Sequence, residues 1–93
     1  MAVQELDADR LATMMHALAH PVRIEIVRML AASGERQCMD LTRHVALAQS
    51  TVSEHLRVLK EAGLIRQCGP SARSGFCIDP EAMLLLKQMV VAL

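Results

Sequence analysis

Residues 39–68 read Met39-Asp-Leu-Thr-Arg-His-Val-Ala-Leu-Ala-Gln-Ser-Thr-Val-Ser-Glu-His-Leu-Arg-Val-Leu-Lys-Glu-Ala-Gly-Leu-Ile-Arg-Gln-Cys68. The stretch divides into a short helix, a tight turn, a longer helix with one polar face, and a strand. In that order the elements predict a helix-turn-helix over 39–63 running into a β-wing over 64–78. Such a unit is built to set one helix into a groove of DNA.

The longer helix carries the reading. Thr51-Val-Ser-Glu54 has the capping-box pattern, in which the threonine hydroxyl accepts from the backbone N–H of Ser53 or Glu54 while Glu54 reaches back. Val52, Leu56, Leu59 and Ala62 recur at helical spacing and predict one buried face. Gln49, Ser50, Thr51, Ser53, Glu54 and Arg57 lie at the N-terminal end or on the opposite face. Short hydroxyl and amide side chains allow a helix to approach base edges, and an arginine reaches a phosphate or a guanine. Gly63 supplies the left-handed residue that stops the helix, and Leu64 folds back on its last turn. The alternative for this segment alone is an amphipathic helix with a solvated face.

Working outward, Asp7 predicts an N-cap, with Leu6 and Leu11 as a hydrophobic staple. The helix that follows, to about Ala19, turns Leu11, Met14, Met15 and Leu18 to one side. His20-Pro21 breaks and restarts the chain. The second helix, about 21–32, is expected to bury Val22, Ile26, Met29 and Leu30, with Ile24 and Val27 widening the stripe; Ser33-Gly34 ends it. Arg23 and Arg28 read most simply as solvated charges. Beyond the central stretch, Leu64–Cys68 and Gly75–Ile78 predict the two wing strands, joined by the turn-rich Gly69-Pro-Ser-Ala-Arg-Ser. Arg66 and Arg73 are the wing's candidates for phosphate or minor-groove contact, and Arg43 and Lys60 could assist on the backbone.

Asp79-Pro80-Glu81 opens the last helix with an N-cap, a proline at the first helical position and an acid in the first turn. Residues 79–93 are then apolar almost all round, more than a domain this small can cover by itself. Pairing of the first and last helices with those of a second copy is the expected solution. The fold expected is therefore mainly α: one winged helix-turn-helix domain over 1–93, about five helices with a two-stranded wing, dimeric through its first and last helices.

Composition narrows the function. Hydrophobic residues are 53% of the chain but aromatics only 1%, so the core must be built from aliphatics and seven methionines. Net charge is zero, which argues against bulk electrostatic binding to nucleic acid. Between 34 and 75, however, Arg36, Arg43, Arg57, Lys60, Arg66 and Arg73 outnumber Glu35, Asp40, Glu54 and Glu61. That balance suits few phosphate contacts per subunit and two subunits per site. An apolar run such as Ala82–Leu86 is far short of the roughly 20 residues needed to span a bilayer. The polar, acidic start predicts no secretory leader, making the cytoplasm the expected compartment. No glycine loop, carboxylate pair or nucleophile-base arrangement suggests an enzyme.

Ala17-Leu-Ala-His-Pro-Val-Arg-Ile-Glu-Ile-Val-Arg-Met-Leu30, then Asp40-Leu41, then Gln49-Ser-Thr-Val-Ser-Glu-His-Leu-Arg-Val-Leu-Lys-Glu-Ala-Gly-Leu-Ile65 resembles the arsenic-repressor (ArsR/SmtB) family of winged-helix regulators. The resemblance runs through nearly the whole chain in order. It implies a homodimeric bacterial transcriptional repressor, released from its operator by a metal, metalloid or redox signal. It places Gln49, Ser50, Thr51 and Ser53 at recognition-helix positions near DNA and gives His55 a structural role.

The family's sensing patterns are not intact. The arsenic-sensing Cys-x-Cys aligns with Gln37 and Met39, with Cys38 between them. The zinc-sensing pattern needs histidine on the last helix, and none follows His55. No inherited metal site is therefore expected, although a soft metal or metalloid remains open. Three cysteines, Cys38, Cys68 and Cys77, are the candidate thiol sensors. Cys68 and Cys77 face each other if the wing turn centres on Ala72–Arg73; otherwise each is a half-buried strand residue. His16, His20 and His44 lack ligand spacing and are expected at the surface or in packing. Two rival functions stay open: a winged helix that binds protein, and a thiol or metalloid binder whose DNA binding is secondary.

Overall fold

The described residues run in the order α1 (Ala8–Leu18), α2 (Pro21–Ser33), α3 (Cys38–Val45), α4 (Gln49–Glu61), β1 (Ile65–Gln67), β2 (Phe76–Ile78) and α5 (Pro80–Val91). The structure is a computed structural model and describes residues 6–34, 38–68 and 75–93, giving Cys38 and Met39 as backbone only. No helix among these residues is long and apolar enough to cross a membrane.

Local chemistry sets most of the boundaries. Asp7 caps α1, accepting from Arg10 N–H at 3.0 Å, and Asp79 caps α5, accepting from Ala82 N–H at 3.1 Å. Each carboxylate takes one of the N–H groups that a helix start leaves unpaired. The end of α4 is a complete Schellman turn: Gly63 N–H donates to Lys60 C=O at 2.9 Å and Leu64 N–H to Leu59 C=O at 3.1 Å. Gly63 has φ 79°, and Leu64 is fully buried against the core. The turn between α3 and α4 instead gives its left-handed position to Ala46, φ 56°.

The start of α4 departs from expectation. The helix begins at Gln49, its N-cap is Ala48, and no side chain caps it. Thr51 is the third helical residue, so the capping box does not form. Glu54, which would have reached back, is held by Arg57, and Arg57 also donates to Glu61 at 2.7 Å. With the helix started two residues before Thr51, Glu54 lies inside it and pairs with Arg57 at the i,i+3 spacing that brings side chains together.

The helices close around Met14, Ile26, Leu30, Leu41, Val52, Leu59, Leu64 and Met89, all essentially without solvent exposure. α4 packs on α1, α2, α3 and β1, so the central helix is held from several sides at once. Two apolar residues expected inside are not: Met15 is 47% exposed and Ile24 46%. In α1 the inward row is Leu11, Met14 and Ala17, and in α2 it is Ile26, Val27 and Leu30.

The wing is an antiparallel pair with Ile65 opposite Ile78, Arg66 opposite Cys77 and Gln67 opposite Phe76. Cys68 N–H donates to Gly75 C=O at 3.0 Å, extending the same register. Asp79 N–H closes the base of the wing on Leu64 C=O at 3.0 Å.

The two left-handed positions give opposite expectations. A Cβ at Gly63 would meet nothing within 4 Å, so Gly63→Ala is strained only in its backbone and should destabilise by about 1 kcal/mol. Ala46→Gly relieves that strain while loosening the unfolded chain, and should change stability by about 0.5 kcal/mol or less. Urea titrations of both variants measure the contrast.

Candidate nucleic-acid interface

α4 turns one edge inward and the other out. Val52, Leu56 and Leu59 are buried, while Gln49, Ser50, Thr51, Ser53, Glu54, Arg57 and Lys60 are exposed. The exposed set covers the first turn and continues down one side of the helix. With no side-chain cap at Ala48, the N–H groups of the first turn point outward at the positive end of the helix dipole. That is the electrostatic character that attracts a phosphate oxygen.

The wing stands beside this face. Lys60 Nζ donates to Gln67 Oε1 at 3.1 Å, tying the last turn of α4 to β1. A cleft of about 230 Å³ lies between helix and wing, lined by Ser53, Leu56, Arg57, Lys60 and Phe76. Arg66 is exposed on β1 and Arg43 on α3, so both basic residues are on the surface of the same helix-turn-helix and wing. Arg73 lies outside the described residues.

Arg57 has two carboxylate partners on its own helix. Its hydrogen bonds to Glu54 and then Glu61 push its pKa further above the usual arginine value, and the guanidinium in turn holds Glu54 below the usual carboxylate range. The pair is fully solvated, so DNA can compete for the guanidinium at small expense. Glu54 is thus as much a holder of Arg57 as a candidate base contact.

The thiols do not assemble. In the observed register Cys77 faces Arg66 and Cys68 faces Gly75, two residues out of step. Diagonal neighbours of this kind are about 7–8 Å apart at Cα, beyond ordinary disulfide reach. Both cysteines are half-buried thiols, and the strand register is not the one that would pair them face to face. The Cys38 side chain is outside the description, as is Gln37. Among the described residues no three His, Cys, Asp or Glu side chains converge as a metal would require.

One cluster was not visible in the sequence. Arg23 is not a solvated charge: Nε donates to Ala17 C=O at 2.6 Å and a terminal nitrogen to His16 C=O at 3.4 Å. It thereby satisfies carbonyls at the end of α1. The other terminal nitrogen lies 3.3 Å from His55 Nδ1 on α4. His20 caps α2, its Nδ1 accepting from Val22 N–H at 3.1 Å, and its ring stacks at a tilt on His55 with centroids 4.5 Å apart. His44, by contrast, pairs with Glu25 at 3.1 Å and ties α3 to α2. Only the short spacing of His20 and Arg23 before Glu54-His55 hinted at the cluster, and spacing alone does not say that α1, α2 and α4 meet there.

Comparison with known proteins agrees with this architecture. The family model described as "Bacterial regulatory protein, arsR family" matches residues 20–67, from the start of α2 through β1. The "HTH-type transcriptional regulator YgaV" of Escherichia coli is 31% identical over 83 residues, covering 89% of this chain and 84% of that protein. The "Biofilm growth-associated repressor" of Xylella fastidiosa is 34% identical over 61 residues, 66% of this chain and 53% of that protein. The solution structure of a homodimeric winged helix-turn-helix DNA-binding domain from Mycobacterium bovis superposes with TM-score 0.71 at 30% identity, covering 90% of this chain and 79% of that one. With its helix-turn-helix, its wing and these matches in agreement, the chain belongs to the ArsR family of bacterial regulatory proteins.

Proposed function

We propose that this chain acts as a homodimeric repressor of transcription that occupies a palindromic operator in the cytoplasm. The observation that supports this most is the division of α4: its buried edge fixes it rigidly, and its outward edge presents short polar side chains beside a basic wing. Gln49, Ser50, Thr51, Ser53 and Glu54 would face base edges, with Arg57 reaching a guanine or phosphate. Arg43, Lys60, Arg66 and Arg73 would hold the backbone and set the register. In this reading 39–63 reads DNA, 64–78 embraces it, and 79–93 joins two copies. The names of the Escherichia coli and Xylella relatives, a transcriptional regulator and a repressor, point the same way.

The dimer rests on apolar surface that one chain leaves uncovered. Leu84, Val90, Val91 and Leu93 are 58%, 43%, 86% and 78% exposed. Val90 and Val91 also line a groove of about 550 Å³ between α1 and α5, together with Met15, Leu18, Met83, Leu86 and Lys87. A patch of this kind on a helix pair favours a second copy of itself. It also accounts for Met15, turned away from its own core. The Mycobacterium bovis domain is described as homodimeric, in keeping with this reading. The two recognition helices would then meet successive major grooves about 34 Å apart. The diagonal wing thiols give no support to a disulfide switch, so the proposal is operator occupancy without one.

Selection from a random duplex pool, run with reduced and with oxidised protein, tests the reading. A palindrome recovered under both conditions is expected. No enrichment would favour the protein-binding alternative, and a palindrome recovered only under reduction would restore a thiol sensor. On the selected duplex, Arg57→Ala should weaken binding about tenfold, whereas Ser53→Ala should mainly relax sequence preference at one position in each half-site. Equal loss on selected and random duplex for Ser53→Ala would contradict its role. Val90→Glu buries a charge in the proposed interface, so its sedimentation mass should fall to that of one 10.2 kDa chain while its helical signal persists.

A further inference from the structure

Three observations meet at one corner of the molecule. Arg23 is a donor only, so its contact to His55 Nδ1 requires that nitrogen to be the acceptor and therefore unprotonated. Val22 N–H is likewise a donor, so His20 Nδ1 must also be unprotonated to cap α2. The two rings lie against each other at 4.5 Å between centroids. Both hydrogen bonds can be made only by a ring whose Nδ1 carries no proton.

We propose that Arg23, His20 and His55 form a proton-sensitive positioning element, which holds the recognition helix α4 in its DNA-binding pose while both imidazoles are neutral and releases it in acid. The proposal rests on the reading of α4 as the DNA-contacting helix. None of the three residues needs to touch DNA. They act through α4, which carries His55 one residue after Glu54 and two before Arg57.

The physical argument follows the protons. A second proton on His55 would set an N–H against the Arg23 guanidinium, replacing a hydrogen bond by like-charge repulsion. A second proton on His20 would remove the cap from α2 and place a cation at the positive end of that helix. With both charged, two imidazolium rings and a guanidinium would share one partly buried corner. The charged and titratable groups that bear on His55 are His20 and Arg23 on one side and Glu54 on α4 itself, while Arg23 also donates to the Ala17 and His16 carbonyls at the end of α1. Only Glu54 favours a charged His55, and its carboxylate is engaged by Arg57.

Burial, then His20 and Arg23, lower the His55 pKa from the ordinary 6.5. The unfolded or released state therefore binds the proton more readily than the locked one. The locked state holds its full advantage above that ordinary value and loses it as pH falls toward the lowered value, at most about tenfold per pH unit for one coupled proton.

The test uses the full chain and the duplex selected at pH 8, with affinity measured from pH 8 to 5.5 at constant ionic strength. Wild type should lose affinity as pH falls from 6.5 to 5.5, by at most about fivefold for the one proton on His55. His55→Asn keeps an acceptor near Nδ1 without titrating, so its profile should be flatter than that of wild type. His20→Asn, which preserves a good N-cap, should shallow the profile as well. A wild-type profile that is flat, or one that His55→Asn leaves unchanged, overturns the proposal. Should His55→Asn fail to fold by circular dichroism, the His20→Asn profile decides between the same outcomes. Amide shifts of residues 52–59, followed by NMR through the same pH range without DNA, provide an independent readout. They should move with His55 in wild type and stay still in His55→Asn; identical movement in both would also overturn it. Absence of any duplex binding at pH 8 would instead defeat the operator reading, leaving the NMR titration to judge the junction.

Discussion

The structure depends on anchoring α4 by one edge only. Val52, Leu56 and Leu59 are buried, and burying each such side chain contributes roughly 1.5–3 kcal/mol. Nothing larger is available, because the chain has no tryptophan or tyrosine and one phenylalanine, itself only partly buried at the wing. A helix held by three medium side chains must be braced from several directions to keep its pose. That bracing comes from α1, α2, α3 and β1, and from the Schellman turn that sends the chain directly from α4 into the wing. The outward edge is thereby left for polar residues that the core does not need.

The same economy explains the polar ties between elements. Lys60 to Gln67 couples α4 to the wing, Glu25 to His44 couples α2 to α3, and Arg23 links the end of α1 to His55 on α4. No polar side chain among the described residues is buried without a hydrogen-bond partner. The first two ties are exposed and weak individually. The third is partly buried and joins three helices through one guanidinium, which makes that corner more than a surface charge.

Surface composition divides along the molecule. One end carries the polar edge of α4 and the wing; the other carries the apolar sides of α1 and α5. A net charge of zero therefore conceals two distinct surfaces, one suited to an anion and one to another apolar face. The exposed apolar side chains of Met15, Leu84 and Val90 lie on α1 and α5, the surface on which the proposed dimer rests.

Much of this was determined by the sequence alone. Local signals settle locally: Asp7 and Asp79 as caps, Gly63 as a helix stop, the order of helices and the wing, and the inward row Val52, Leu56 and Leu59 all follow from spacing and side-chain chemistry within a few residues. What required the tertiary structure were outcomes of competition between distant or alternative partners. Thr51-Val-Ser-Glu54 has the capping pattern, yet the helix starts two residues earlier at Gln49, and Glu54 pairs with Arg57 inside it. Cys68 and Cys77 depended on a turn length that slides the register by whole residues, so their spacing could not say whether they meet. Met15 and Ile24 share the helical period of core residues, and only the direction of neighbouring helices decides which apolar side goes in. Arg23 looks solvated until α1 ends above it and α4 crosses beside it. Periodicity fixes which residues share a face; the packing of elements far apart in the chain decides what that face meets.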